Sequence, residues 1–328
     1  MRTAVSALSL IAIFTFDLLT RESIFTWSLT AIPKIEDGTG DWLKIICLIL
    51  WKIGGQVPNI IVVLLFTAMF KRRHQAFSYL LLWSFQVFIE TFSKFAMREP
   101  RPSMVVSPVD GFILWTPYTQ IISLGSPCNT SLSTMCITLS FVIEYIYHTE
   151  EQSEHNNIRL SISQNETRPV SHGMDSSARS GEIETYPLWK KVLLISGAIF
   201  YSFIEGFSRF IIGAHSLDQV IFGWLIGAWL ALTFFGLIRE HIHRHVTDLI
   251  SGRTSSSTTI YYLISTGIWL TSMLTITITF LIVKNKDLNL MGQELRDSDK
   301  AITSWVYWTT WAESGYTGAV LGGYFGLL

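Results

Sequence analysis

Charged residues are scarce in this sequence. Asp, Glu, Lys and Arg make up 15% of the 328 residues, whereas hydrophobic residues make up 49% and the mean hydropathy is +0.38. A soluble globular domain usually contains about 25% charged residues. The shortage of charge therefore argues against a soluble domain and favours a chain that crosses a membrane several times.

Two other classes of protein are excluded by what the sequence lacks. The formal net charge is −1 and no run of Lys and Arg is long enough to bind a nucleic acid, so we expect no nucleic-acid partner. The cysteines are few, Cys47, Cys128 and Cys136, and two of them lie in apolar runs. A disulfide framework is therefore not expected.

Long apolar stretches supply the predicted spans. They lie at 4–20, 43–70, 75–93, 121–147, 188–207, 217–238, 258–283 and 301–328. A membrane-crossing helix needs about 20 residues, and Gly54, Gly55 and Pro58 divide the second stretch into an interfacial helix and one crossing. The first stretch is predicted to be a retained anchor, with Asp17 inside it. The sequence thus predicts an all-α fold, a multi-pass transmembrane bundle of about seven spans.

Basic residues in the connections predict the orientation of this bundle. They cluster at 71–73, at 190–191 and at 239–253. Because basic connections remain on the cytoplasmic side, we assign all three to that side. Alternation then places three other connections on the non-cytoplasmic face, namely 94–120, 208–216 and 284–300.

The spans also divide the chain. The polar connection 148–187 has almost no large apolar residues and is predicted to be a disordered cytoplasmic loop. It lies within a predicted helical core at 43–238. An anchor and interfacial segment at 1–42 precedes this core, and a basic connection with two further spans at 239–328 follows it. Without a targeting signature, the endoplasmic reticulum membrane is the default location, and a mitochondrial membrane is the alternative.

Cationic residues stand at the ends of two spans. Lys94 is followed after six residues by Arg101-Pro102, and Ser208-Arg209 is followed after five residues by His215. An ammonium and a guanidinium that converge suit the negative oxygens of a phosphate. Glu90 and Glu205 lie four residues before Lys94 and Arg209, a spacing that predicts ion pairs along each helix. The alternative is that Lys94 and Arg101 are interfacial anchors that reach towards lipid headgroups.

A turn sequence lies between these two stretches. Gly125 to Ser131 contains Gly and Pro and leads directly into the predicted span 132–147. Backbone N–H groups at the start of a helix attract anions. The alternative is an ordinary helix cap supplied by Asn129, Thr130 or Ser131.

Together and in this order, the three stretches resemble the type 2 phosphatidic acid phosphatase (PAP2) superfamily, which includes the glucose-6-phosphatases and the vanadium haloperoxidases. Its patterns are Lys-x6-Arg-Pro, Pro-Ser-Gly-His and Ser-Arg-x5-His-x3-Asp. The resemblance covers about 43–238, the helical core. It implies that His215 is the nucleophile that forms a phosphohistidine, that Lys94, Arg101 and Arg209 hold the phosphoryl oxygens, and that no metal or other cofactor is used.

This sequence departs from the pattern at the residue that would orient His215. Asp218 comes one position early, and Gln219 occupies the expected position, as it does in glucose-6-phosphatases. The resemblance therefore implies that Asp218 or Gln219 orients the nucleophile.

The second pattern departs further, because Pro-Ser-Gly-His reads Pro127-Cys128-Asn129-Thr130. Cys128, Asn129 and Thr130 are the corresponding phosphate-binding positions, but a threonine hydroxyl is too weak an acid to protonate a leaving alcohol. Glu99 and Asp110 are the candidates to replace that acid. Cys128 is a weaker candidate nucleophile, because cysteine phosphatases need Arg six residues later and Thr134 stands there.

Two main hypotheses remain open at this point. The first is a metal-independent membrane phosphatase that acts on a lipid phosphate or a phosphorylated small metabolite. The second is a catalytically inactive relative, or pseudoenzyme, that binds lipid or serves as a subunit of a membrane complex. A vanadate-dependent peroxidase is disfavoured because those enzymes are mostly soluble. The expected partners are a phospholipid or phosphorylated small molecule, membrane lipids and other membrane subunits.

Overall fold

The structure is a computed structural model that describes residues 2–53, 73–97, 99–102, 125–166 and 187–251, with the single positions 260, 264, 267 and 271. These residues form helices and no β-strand, so the all-α prediction is confirmed for them. The α-helices are α1 (Arg2–Gly38), α2 (Asp41–Ile53), α3 (Arg73–Met97), α4 (Asn129–Glu166), α5 (Leu188–Ile211), α6 (Leu217–Thr233) and α7 (Arg239–Ile250). A π-helical turn, Phe234–Ile238, joins α6 to α7.

Within the described ranges, four helical segments are long and apolar enough to cross a membrane. They are Arg2–Ile35, Asn129–Tyr147, Leu188–Ile211 and Leu217–Asp248. They contain or overlap the predicted stretches 4–20, 121–147, 188–207 and 217–238. Helix α3 contains the predicted stretch 75–93 but is not among the four, and its buried face carries the polar residues Gln86, Glu90 and Ser93.

The total number of spans stays a prediction. Helix α2 forms where an interfacial helix was expected, but the crossing predicted to follow it lies outside the described residues. The stretch 301–328 lies outside them as well, and 258–283 is described only at isolated positions.

The expectation of a disordered loop at 148–187 was wrong for its first half, because α4 continues as a helix to Glu166. Once a helix has formed, each further residue adds a hydrogen bond at little cost. The first helix-breaking residue after the apolar segment is Pro169, so nothing in the sequence ends the helix earlier. Residues 167–186 lie outside the described part.

The centre of the bundle is the contact between α4 and α6. Leu132 and Cys136 of α4 pack against Phe222, Ile226 and Leu230 of α6 in one buried cluster. The two backbones touch where α6 carries glycines four residues apart. A Cβ atom on Gly223 would lie 2.8 Å from the carbonyl oxygen of Cys128, and one on Gly227 would lie 2.5 Å from that of Leu132. Small residues at this spacing let membrane helices approach closely.

Helix α1 runs antiparallel along α6. The Trp229 indole near the end of α6 donates to the Ser6 carbonyl (2.9 Å), and the Leu217 N–H at its start donates to the Ser28 hydroxyl (3.1 Å). The part of α1 after Ser28 therefore extends beyond the start of α6. Helix α2 then packs on the connection between α5 and α6, where Cys47 meets Ile212 and Ala214.

We expect Gly227→Ala to lower the free energy of unfolding by about 1–3 kcal/mol, because the added methyl group meets the backbone of α4. Gly197→Ala is the matched control, since a Cβ atom there has no neighbour within 4 Å and alanine stabilises a helix by about 0.5–1 kcal/mol. Thermal unfolding of both variants in detergent checks this difference. Equal stability of the two variants would contradict the close approach of α4 and α6.

Candidate active site

The three cationic and turn stretches meet at one end of the bundle. The backbone N–H of Gly125 donates to the carbonyl of Glu99 at 2.8 Å, and the N–H of Cys128 donates to the carbonyl of Gln219 at 3.0 Å. These two hydrogen bonds attach the start of α4 to the segment after α3 and to the start of α6. The arrangement depends on Gly125, because a Cβ atom there would lie 2.2 Å from the side-chain nitrogen of Gln219.

His215 lies in the short turn between α5 and α6. The N–H groups of Ala214 and His215 both donate to the Arg209 carbonyl, at 3.0 and 3.3 Å, and so close the end of α5. Gly213 has a φ of 68°, a conformation that glycine adopts without strain. The turn places His215, which is 4% exposed, one residue before the cap of α6 at Ser216.

Gln219 fixes the orientation of the His215 ring. Its amide nitrogen donates to the Pro100 carbonyl (2.8 Å), and its Oε1 accepts from the Ser216 N–H (3.3 Å). Because a carbonyl can only accept and a backbone N–H can only donate, the amide has one orientation. Its Oε1 also lies 3.2 Å from Nδ1 of His215. Nδ1 therefore carries the proton, and Nε2 keeps a free lone pair.

Three cations lie near this ring. Arg101, Lys94 and Arg209 all act electrostatically on His215. Burial, together with the charges of Arg101 and Lys94, holds the pKa of His215 well below its ordinary value, so the imidazole is neutral at physiological pH. Burial also lowers the pKa of Arg101 to about 10, which leaves its guanidinium charged at neutral pH. The site thus combines an unprotonated imidazole with permanent positive charge.

Both predicted ion pairs along the helices are confirmed. Lys94 Nζ lies 2.6 Å from Glu90 Oε1, and Arg209 Nη2 lies 3.5 Å from Glu205 Oε2. The Arg209 and Glu205 side chains are 1% and 0% exposed. A buried charge that loses its partner destabilises a protein by about 3–5 kcal/mol, so Glu205 offsets the cost of burying the charge of Arg209.

Comparison with known families agrees with this geometry. The family model of the PAP2 superfamily matches residues 75–243, more than half of the chain and a range that includes Lys94, Arg101, Arg209 and His215. The chain belongs to the PAP2 superfamily. It is thus a phosphatase-like protein of a typically membrane-bound superfamily, in keeping with its membrane-type helices. Comparisons with curated proteins and with solved structures gave no match.

The second motif of this PAP2 protein forms the start of α4. Cys128 is fully buried and close enough to Arg101 and Arg209 to interact electrostatically with both. The Asn129 side chain points along its own helix, and its oxygen accepts a hydrogen bond from the Ser133 hydroxyl one turn later, at 2.9 Å. Thr130 is half-buried in the first turn of the helix.

Two acidic residues predicted for the site, Asp218 and Glu99, interact with residues other than His215. Asp218 is 3% exposed and interacts with Glu99 and Asp17, so the amide of Gln219 takes the orienting position. Glu99 contacts Gln219, which stands on the Nδ1 side of the imidazole. Asp110, the other predicted replacement for the missing acid, lies outside the described residues.

Sequence reasoning missed the partner of Glu99. Arg21 of α1 donates to Glu99 with its Nη1 lying 2.6 Å from Oε1, although 78 residues separate the two. Arg21 directly follows the predicted stretch 4–20, and only the structure shows that the membrane-type helix continues past it to Ile35, where a basic residue is expected to face a partner.

The neutral state of His215 predicts a pH dependence of stability. Below the ordinary imidazole pKa of 6.5, the unfolded chain takes up a proton at this position and the folded chain does not. The free energy of unfolding therefore falls as the pH is lowered, by about 1.4 kcal/mol per pH unit from this group. This full slope is reached only about one pH unit below 6.5, so between pH 6.5 and 5.5 we expect the wild type to lose about 1 kcal/mol more stability than His215→Gln.

Denaturant unfolding in detergent at several pH values measures this difference. His241→Gln, at an exposed histidine of α7, is the control and should follow the wild type. Parallel curves for the wild type and His215→Gln would show that His215 titrates normally in the folded protein.

Proposed function

We propose that this PAP2 protein binds the phosphoryl group of a phosphomonoester, either a lipid phosphate or a phosphorylated small metabolite, and transfers it to Nε2 of His215. The lone pair of Nε2 attacks phosphorus, the bond from phosphorus to the leaving oxygen breaks, and water later releases inorganic phosphate from the phosphohistidine. One observation carries the proposal: Gln219 holds the proton on Nδ1, so that Nε2 keeps its lone pair on a ring that interacts electrostatically with three cations.

The three cations supply the electrostatic part of the reaction. In phosphoryl transfer, negative charge is spread over the non-bridging oxygens, and fixed positive groups around them stabilise the transition state. Lys94, Arg101 and Arg209 are held by ion pairs, burial and a contact from Arg101 to the Ala214 carbonyl before any ligand arrives. They therefore need little rearrangement during the reaction.

Protonation of the leaving group is the weak step. Thr130 stands where the family pattern has His, and loss of a general acid typically slows a reaction by about 10² to 10⁴. The neighbouring Glu99 lies on the Nδ1 side and interacts with Gln219 instead. We therefore propose a phosphatase that transfers phosphoryl groups readily only when the leaving oxygen is stable as an anion.

The alternative function is a binding protein without turnover. It is favoured by a contrast within the site: Arg101, Arg209 and His215 are buried in the folded chain, whereas Thr130 stands where the family pattern has the acid. In that case, the fold would serve as a lipid-headgroup-binding or structural subunit of a membrane complex. For either function we propose that the site faces the non-cytoplasmic side, with the endoplasmic reticulum as default compartment and a mitochondrial membrane as the alternative.

The first test compares leaving groups. Purified protein in detergent should release phosphate from 4-nitrophenyl phosphate at least about 100-fold faster than from phosphatidate or lysophosphatidate, because nitrophenolate needs no proton to leave. His215→Ala should abolish both activities and the acid-labile phosphoenzyme, whereas His241→Ala should leave them unchanged. Equal rates on both kinds of substrate would refute the missing-acid account. Anion binding without any phosphoenzyme would support the binding protein.

The second test restores the acid. Thr130→His combined with Asn129→Gly should raise the rate on alkyl phosphates by about 10- to 100-fold and change the rate on 4-nitrophenyl phosphate little, since only the alkoxide needs a proton. Asn129→Gly alone is the control for the backbone change. A uniform loss of activity in the double variant, with folding intact, would argue that the start of α4 does not face the leaving group.

A further inference from the structure

A half-buried ion pair lies beside Gln219, the residue that orients His215. Arg21 of α1 contacts Glu99 at 2.6 Å, and their side chains are 30% and 9% exposed. Helix α1 lies outside the range that the PAP2 family model matches. The pair is therefore a feature that this chain adds to the common core.

The segment that carries Glu99 holds the amide of Gln219 at two points. The Glu99 carboxylate interacts with the side chains of Gln219 and Ser126. The carbonyl of the next residue, Pro100, accepts a hydrogen bond from the Gln219 nitrogen at 2.8 Å. Arg21 is thus bonded to Glu99, and the segment Glu99–Pro100 interacts with Gln219, whose Oε1 lies 3.2 Å from Nδ1 of His215.

A neutral amide alone is a weak partner for this histidine. When Nε2 bonds to phosphorus, the imidazole becomes positively charged, and a carboxylate at Nδ1 would stabilise that charge more strongly than an amide. A negative charge behind the amide polarises it, because hydrogen bonds in a series strengthen one another in a low-dielectric interior. We propose that Glu99, held by Arg21, is a positioning residue that orients and polarises Gln219 and so supports the bond between Nε2 of His215 and phosphorus. This inference rests on the proposed function.

Arg21 is needed because Glu99 lies among other carboxylates. Asp17 of α1 and Asp218 of α6 both face Glu99, and each is almost fully buried. Burial raises the pKa of Glu99, and the hydrogen bond from Arg21 opposes that shift. Loss of Arg21 would therefore raise the pKa of Glu99 further and favour the neutral carboxyl, which polarises Gln219 less than a carboxylate does. Arg21→Met and Glu99→Gln should have the same effect for this reason.

A purely structural ion pair is the competing explanation, and the chain offers a matched control for it. Arg239 of α7 and Glu144 of α4 form two hydrogen bonds of 2.7 and 2.8 Å near the opposite end of the bundle. Their side chains are 13% and 6% exposed, so this pair is more buried than the first and its loss is the more severe test of folding. Glu144→Gln removes the charge of a buried ion pair without touching Gln219.

The experiment compares two anions in purified full-length protein. Binding of inorganic phosphate needs only the cations. Vanadate also forms a bond to a nucleophilic nitrogen and so mimics the transition state, and such mimics bind tighter than substrates by about 10²-fold or more. We expect Glu99→Gln and Arg21→Met to weaken the binding of vanadate about 10-fold and the binding of phosphate less than about 2-fold. Their double variant should lose no more than either single variant, because the residues act as a unit.

Two controls separate positioning from folding. Arg21→Lys keeps the charge and should retain vanadate affinity within about 3-fold of the wild type, and Glu144→Gln should retain both affinities. If Glu99→Gln weakens both anions equally, or neither, the positioning role is overturned while the proposed function stands. If wild-type protein binds vanadate no better than phosphate and His215→Ala changes nothing, the proposed function fails and this inference fails with it.

Discussion

The side-chain amide of Gln219 is the interaction on which the rest of the site depends. It contacts the imidazole of His215, the N–H of Ser216 and the carbonyl of Pro100, while its own backbone carbonyl accepts from Cys128. Three separate parts of the chain are therefore held against one residue. The proton on Nδ1, and hence the free lone pair on Nε2, follows from the hydrogen bonds of this amide. Gly125 leaves room for this amide, because a Cβ atom on Gly125 would displace the Gln219 side chain.

The second constraint is the cost of holding charge among apolar helices. Each of four buried or half-buried cations has a carboxylate within about 3.5 Å, in the pairs Lys94–Glu90, Arg209–Glu205, Arg21–Glu99 and Arg239–Glu144. An unpaired charge in such surroundings destabilises the fold. Three of these pairs lie near His215 or near Gln219. The pairing of cations with carboxylates, which stabilises the bundle, therefore also holds positive groups close to His215.

Much of this arrangement follows from local spacing and could be predicted. Lys94 and Arg209 stand one helical turn after a glutamate, and this periodicity predicts both ion pairs without knowledge of the fold. The order and spacing of the three stretches also predicted the superfamily. The choice between Asp218 and Gln219 could not be made, because one residue of helix changes the direction of a side chain by about 100° and only the packing of α6 shows which direction faces His215.

Contacts between distant segments were beyond the reach of the sequence. Arg21 and Glu99 meet only because α1 runs antiparallel along α6, and no local pattern sets that direction. The helical continuation to Glu166 was missed for another reason. Polar composition was taken as evidence of disorder, whereas a helix that has already formed is extended at little cost where no Pro or Gly interrupts it.

A structure determined with bound orthovanadate would test the central claim most directly, whether or not the protein turns over a substrate. The account predicts vanadium bonded to Nε2 of His215, with its equatorial oxygens facing Arg101, Arg209 and Lys94 and with Gln219 still at Nδ1. Vanadium bonded to Nδ1, or bound at a position away from these cations, would contradict it.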